Sequence, residues 1–239
     1  MPKGSSKRKS TEASAAKAGP GNGPGADPAS LLAPELERYL HRLAPRRSAV
    51  VREMEQLGDR LNFPYIGPLV GKLLAQLVIL SRARTVFELG SGFGYSAVWI
   101  ARALPADGRI YLTDLSAENL ERASQFLERA GQGHKAVYLQ GDALELFERQ
   151  APSRLDFVLC DLDKERYPKA YELVLPRLKV GGLLVTDNVL WRGWVAQRSR
   201  SDAATAAIRE FNRKTQADAN ALTTILPLRD GVAVTLKLR

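Results

Sequence analysis

The amino-acid sequence predicts an α/β fold, a doubly wound, mostly parallel sheet of seven strands with a C-terminal antiparallel hairpin and extra N-terminal helices. Three observations predict it. Five short apolar runs, TVFELG at 85, RIYLTDL at 109, AVYLQGDA at 136, DFVLCDL at 156 and GGLLVTDN at 181, alternate with helical patterns, as parallel strands joined by crossover helices do. A glycine-rich turn stands directly after the first run. The last two runs, LTTILPL and GVAVTLKLR, flank Arg229, Asp230 and Gly231, a tight-turn signal that makes them a hairpin.

Taken in chain order, residues 1–30 form a tail and 31–239 one domain. Twenty of the first thirty residues are Ala, Gly, Ser or Pro and none is a large aliphatic or aromatic, so the tail cannot bury enough surface to offset its ordering entropy and is expected to be disordered. Its Lys-Arg-Lys run at 7 to 9 reads as a solvated face or as a nucleic-acid contact or address. Helical periodicity begins at Leu31 with ELERYLHRLA and resumes after Pro45 toward Arg60. Leu69, Val70, Leu73, Leu74, Leu77 and Val78 form the inward stripe of a third helix. Ser116 caps a helix whose apolar positions are Leu120, Ala123, Phe126, Leu127 and Ala130, with Gly131 ending it. Tyr167, Tyr171, Val174, Leu175 and Leu178 give another stripe, stopped by Gly181 and Gly182.

Composition limits the chemistry. The formal charge is +9, of which the tail carries +3 and the domain +6. No window approaches the roughly 18 apolar residues of a membrane-spanning helix and no secretory signal is present, so a soluble cytoplasmic protein without membrane contact is expected. With Cys160 as the only cysteine and only His41 and His134 beside it, an internal disulfide and a Cys/His zinc site are excluded. A metal must be held by oxygen.

FELGSGFGYSA sets Gly90, Gly92 and Gly94 between a strand and a helix, where a turn lets backbone N–H groups approach a ligand. Asp114, at the tip of the next strand, can accept from a ribose diol, and Asp142, in Gly141-Asp142-Ala143, is placed to meet an adenine amino group. A dinucleotide fingerprint wants a third glycine where Tyr95 stands, so S-adenosylmethionine suits the pattern better than NAD. A turn without a ligand is the structural alternative. Asp161 ends the fourth strand and Asp187 with Asn188 the fifth. Three oxygen ligands at one sheet edge suit a hard cation such as Mg²⁺ or Ca²⁺, although Asp and Asn also favour such turns for local reasons. Lys164 sits where its charge opposes the helix dipole at a cost of about 0.3 to 1 kcal/mol. It reads as a general base or as an exposed lysine. Asp163 is a helix cap or an outer acid, and Trp191 and Trp194 line an acceptor pocket or cover the core.

These residues together resemble the metal-dependent O-methyltransferases that include the catechol and caffeoyl-CoA enzymes. The resemblance runs from about Phe63 to Arg239 and rests on FPYIGPLVGKLL, FELGSGFGYSA, CDLDKERY, GGLLVTDNVLWRG and LRDGVAVTLKL. It implies a class I methyltransferase fold in a homodimer. It implies that Asp161, Asp187 and Asn188 hold Mg²⁺ (or Ca²⁺ or Mn²⁺) and that Lys164 is the catalytic base. Glu88, Gly90, Ser96, Asp114, Asp142, Ala143 and Asp161 would contact the donor, with Ile66 on its methionine side. Asp163, where the catechol type has a tryptophan, matches the caffeoyl-CoA type. The expected acceptor is a small hydroxylated aromatic. A transfer-RNA nucleoside hydroxyl is the competing acceptor, supported by the domain's charge and by Arg192, Arg198, Arg200, Arg209, Arg213 and Lys214. A non-catalytic donor-binding protein is the third reading.

Overall fold

The computed structural model describes residues 31–44 and 47–239. The expectation for the 1–30 tail lies outside the described residues. Three helices lead in: α1 (Pro34–Leu43), α2 (Ala49–Leu61) and α3 (Gly67–Leu80). Ser48 caps α2, its Oγ accepting from the Val51 N–H at 3.4 Å. Of the stripe read on α3, Val70, Leu74 and Val78 are fully buried, whereas Leu69, Leu73 and Leu77 are half-buried.

Strands and helices then alternate: β1 (Thr85–Leu89), α4 (Tyr95–Ala103), β2 (Arg109–Asp114), α5 (Ala117–Arg129), β3 (Ala136–Gln140), α6 (Ala143–Gln150), β4 (Leu155–Cys160), α7 (Tyr167–Arg177), β5 (Leu178–Thr186), α8 (Ala203–Ala217), β6 (Ala221–Leu226) and β7 (Val232–Lys237). One seven-stranded sheet results, in the order β3-β2-β1-β4-β5-β7-β6. The first five strands are parallel, and β7 runs antiparallel to both β5 and β6. The expected fold class is the observed one. Alternate strand residues serve two cores: Val86, Ile110, Leu112, Phe157 and Leu159 pack with α3, α4 and α5, and Phe87, Leu89, Val158 and Leu184 with α6, α7 and α8.

One boundary differs from its expectation. The helix read as running to Gly181-Gly182 ends at Arg177, and Leu178 already pairs with Leu155 in β5. Pro176 lies at its end, and the ladder shifts register between Leu155 and Phe157, which leaves room for Gly181 at φ 81 inside the strand. The order also creates a switch point. Between β1 and β4 the connections leave in opposite directions, which opens a crevice beyond the carboxyl ends of these two strands.

Candidate active site

A cleft of about 350 Å³ lies at this switch point, lined on one side by Gly90, Ser91, Gly92, Ser96, Asp114 and Ala143 and on the other by Asp161, Lys164 and Arg166. Phe63, Tyr65 and Ile66, from the segment before α3, also line it. The turn after β1 needs glycine for a specific reason. Gly90 has φ 85, and a Cβ there would stand 2.4 Å from the Asp161 carbonyl oxygen, so the two strand ends approach only because no side chain intervenes. Hydrogen bonds fix the rest of the turn. The Gly92 N–H donates to Asp114 Oδ2 at 3.0 Å, while Asp114 Oδ1 accepts from the Ser116 N–H at 2.8 Å and Asn119 Nδ2 at 3.1 Å. Asp114 is thus held in one orientation at the cleft wall with acceptor capacity left over.

Two residues expected to touch the donor are also held by contacts within the chain. Glu88 is fully buried beneath the turn and accepts from the hydroxyl of Ser96, which lines the cleft. Burial pushes its carboxyl up to about 7, against hydrogen bonds from Ser96 and Ser91. Asp142 caps α6, accepting from the Leu144 and Glu145 N–H groups at 3.0 and 3.1 Å, and pairs with Arg166 at 2.6 Å. That ion pair, outweighing partial burial, lowers its carboxyl to about 2. Neither Arg166 nor Asn119 stood out in the sequence, because each acts through an acid rather than through a motif.

Backbone bonds carry β4 and β5 forward together. The Asp161 N–H donates to Leu89 O at 2.9 Å and the Asp187 N–H to Cys160 O at 3.1 Å, so the two carboxylates leave adjacent strand ends. Lys164, in the 3₁₀ turn Lys164–Arg166, reaches back with Nζ 2.9 Å from Asp161 Oδ1 and 3.0 Å from Leu162 O. Its side chain is only 12% exposed, which sets aside the reading as an exposed lysine. Burial disfavours the ammonium, but attraction and a hydrogen bond from Asp161, with Asp187 behind it, outweigh this and hold Lys164 above the ordinary lysine range. The chain's own carboxylates therefore favour the ammonium form of Lys164.

Asp187 is 1% exposed, and its Oδ1 is buried with no hydrogen-bond partner among the described residues. Burial and then the neighbouring Asp161 charge push its carboxyl up to about 7, against Arg229 and Lys164. An orphaned buried oxygen next to a second carboxylate fits a hard cation. Asn188, at φ 58, turns its Nδ2 to Asp230 Oδ2 at 3.5 Å. Among the described residues no three His, Cys, Asp or Glu side chains group to hold a metal; the expected set has two carboxylates and an amide.

Beyond Asn188 the chain takes positive φ at Trp191, Arg192 and Gly193. Asp230 holds this bend, accepting from the Arg192 N–H with its side chain and from the Leu190 N–H, at 2.9 Å, with its carbonyl. Trp191 packs on the core beneath α7 and α8, and its ring lies 5.9 Å from Lys164 Nζ. Trp194 meets Trp191 edge-on at 6.2 Å and carries Arg200 over its face at 4.1 Å. Arg209, counted among the basic residues, is a strut bonded to the carbonyls of Trp194, Val195, Gln197 and Arg200.

A family model described as O-methyltransferase matches residues 48–238. The chain belongs to the O-methyltransferase family. It is an S-adenosylmethionine-dependent O-methyltransferase with the class I fold. Among relatives of this O-methyltransferase, the caffeoyl-CoA O-methyltransferase of Petroselinum crispum is 32% identical over 203 residues, covering 80% of this chain and 84% of that one. Tricin synthase 1 of Oryza sativa subsp. japonica is 31% identical over 210 residues, covering 81% and 83%. The O-methyltransferase TomG of Streptomyces achromogenes, solved with S-adenosylmethionine, superposes with TM-score 0.78 at 26% identity, covering 86% of this chain and 96% of that one. No helix among the described residues is long and apolar enough to cross a membrane.

Proposed function

We propose that this O-methyltransferase methylates one of two vicinal hydroxyls on a small catechol-like or hydroxycinnamoyl-type acceptor, aided by a divalent cation held by Asp161, Asp187 and Asn188. One observation carries the reading: a single cleft at the switch point has the glycine turn and Asp114 on one wall and the Asp161–Lys164 pair on the other. The names of the parsley and rice relatives point to phenolic acceptors of this class.

When bound, the donor supplies an electrophilic methyl group on a sulfonium, and a divalent cation supplies Lewis-acid polarisation of adjacent oxygens. The chain supplies the rest. Gly90, Gly92 and Ser96 form the bed of the donor side, Asp114 accepts from its ribose, and Asp142 and Ala143 stand at its adenine end. Ile66 covers its methionine side. Phe63 and Tyr65 exclude water, which strengthens every charge interaction within. Asp161 keeps Lys164 Nζ oriented into the cleft, and Lys164, in the neutral form left after it has released its own proton to solvent, takes the acceptor proton as the hydroxyl becomes a nucleophile.

Losing a charge-assisted hydrogen bond costs about 1.5 to 3 kcal/mol, so Asp114→Ala is expected to weaken donor binding by about ten- to a hundredfold. Calorimetry with S-adenosylhomocysteine checks this, and unchanged affinity contradicts the assignment.

The competing acceptor, a transfer-RNA hydroxyl, draws support from Arg192, Arg198 and Arg200, which are exposed and make no carboxylate ion pair among the described residues. Arg209 is committed internally and Lys214 pairs with Glu172, which reduces that patch. Labelled donor offered to catechols, hydroxycinnamoyl thioesters and unmodified transfer RNA distinguishes the acceptors. Label on the vicinal diols supports the proposal, label on RNA alone replaces it, and no S-adenosylhomocysteine from any acceptor favours a non-catalytic donor-binding protein. The same assay tests the tail: a chain starting at Ser30 is expected to keep its fold and its small-acceptor turnover, and losing that turnover contradicts the expectation. The resemblance also carries a homodimer and a cytoplasmic location as expectations, which light scattering and cell fractionation check.

A further inference from the structure

We infer that Arg229 is a built-in counter-cation of Asp187 that competes with any divalent cation for that carboxylate, an inference that rests on the metal reading above. Arg229 Nη1 lies 3.4 Å from Asp187 Oδ2, with the arginine side chain 15% and the aspartate 1% exposed. The backbone at Arg229 is unusual: φ is 55, in the left-handed region that non-glycine residues occupy only when their surroundings impose it. Here the surroundings do impose it. The Arg229 carbonyl accepts from the Leu31 N–H at 3.0 Å, and the next two residues of the turn accept from Leu190 and Val189 at 2.9 and 3.0 Å. The turn is pinned from the α1 side and from the segment after β5, and the pinned turn delivers a guanidinium to the buried carboxylate.

The charge count gives this placement its consequence. Asp161 already has Lys164 at 2.9 Å, and Asp187 has Arg229, whose charge also faces the buried Asp230 carboxyl. A guanidinium stays protonated at any working pH, so it cannot step aside by losing its charge as a lysine can. A divalent ion arriving at Asp187 therefore meets a fixed positive charge in a site where burial weakens screening, and must draw the carboxylate away from Arg229. Asp187 Oδ1 remains the open oxygen, so binding is opposed and not blocked. Arg229 thereby sets how much free cation the centre needs.

Calorimetric titration of the full chain with MnCl₂ and MgCl₂ tests this through binding, independently of turnover. Arg229→Gly suits the observed φ, Arg229→Met keeps the bulk without the charge, and Arg229→Lys keeps the charge. Circular dichroism and S-adenosylhomocysteine affinity verify that each variant is folded. The Gly and Met variants are expected to bind Mn²⁺ about ten- to a hundredfold more tightly than the parent, with Lys close to the parent. If the parent binds no metal and the Gly and Met variants do, the inference holds and the metal-dependent reading of the natural chain fails. Equal affinity in the parent and both charge-removed variants overturns the inference and leaves the metal reading standing. No binding to any of them overturns both.

Discussion

Lys164→Ala is expected to lower kcat by about 10² to 10⁴, the usual value of a positioned proton transfer, while donor affinity stays within a fewfold of the parent. The motivation is geometric: Nζ is clamped between Asp161 Oδ1 and Leu162 O, lies 5.0 Å from the Tyr167 ring centroid, and lines the cleft. The carboxylates around Lys164 favour its ammonium form, so the free enzyme holds it protonated at neutral pH and kcat/KM is expected to climb as pH rises. Lys164→Arg is not expected to rescue, because a guanidinium does not give up its proton. The deficit of Lys164→Ala should shrink at higher pH, where solvent generates the nucleophile unaided. A purely structural lysine would give the opposite separation, a fall in thermal stability with kcat retained near pH 7.

Removing divalent cations is the second large effect. Treatment with chelator followed by dialysis is expected to reduce methyl transfer by at least about 10², since Lewis-acid polarisation contributes several kcal/mol, and Mg²⁺ should restore it. Asp187→Ala should behave as the stripped protein does and resist restoration, because it removes the buried oxygen that has no hydrogen-bond partner among the described residues. Full activity in a stripped preparation contradicts the metal reading and leaves Lys164 with Arg229 as the positive charges facing the carboxylates.

Much of this architecture was legible in the sequence because its strands are short apolar runs with acids at their tips. Asp114, Asp161 and Asp187 were placed from that pattern, and the structure sets them along one sheet edge. Glu88 stands one step before the strand tip, where period two puts it with Val86; its full burial and its bond from Ser96 depend on the packing of α4, which the strand pattern does not carry. The end of α7 was misread because paired glycines signal a stop as strongly as Pro176 does, and a strand irregularity absorbs them. Asp230 read only as a hairpin residue. Its fold of the Trp191 bend depends on a contact 38 residues away in sequence, which no local pattern carries. The same holds for Arg229, whose partner Asp187 is 42 residues away.

The most direct measurement is a single-turnover reaction of the enzyme with methyl-labelled S-adenosylmethionine, a hydroxycinnamoyl thioester bearing two adjacent hydroxyls, and Mg²⁺, with the product located by mass spectrometry. One label per active site on one of the two phenolic oxygens, matched by one S-adenosylhomocysteine, is the predicted result. Donor bound at full stoichiometry with no label reaching the vicinal oxygens, in the presence of Mg²⁺ and across pH 7 to 9, would contradict it.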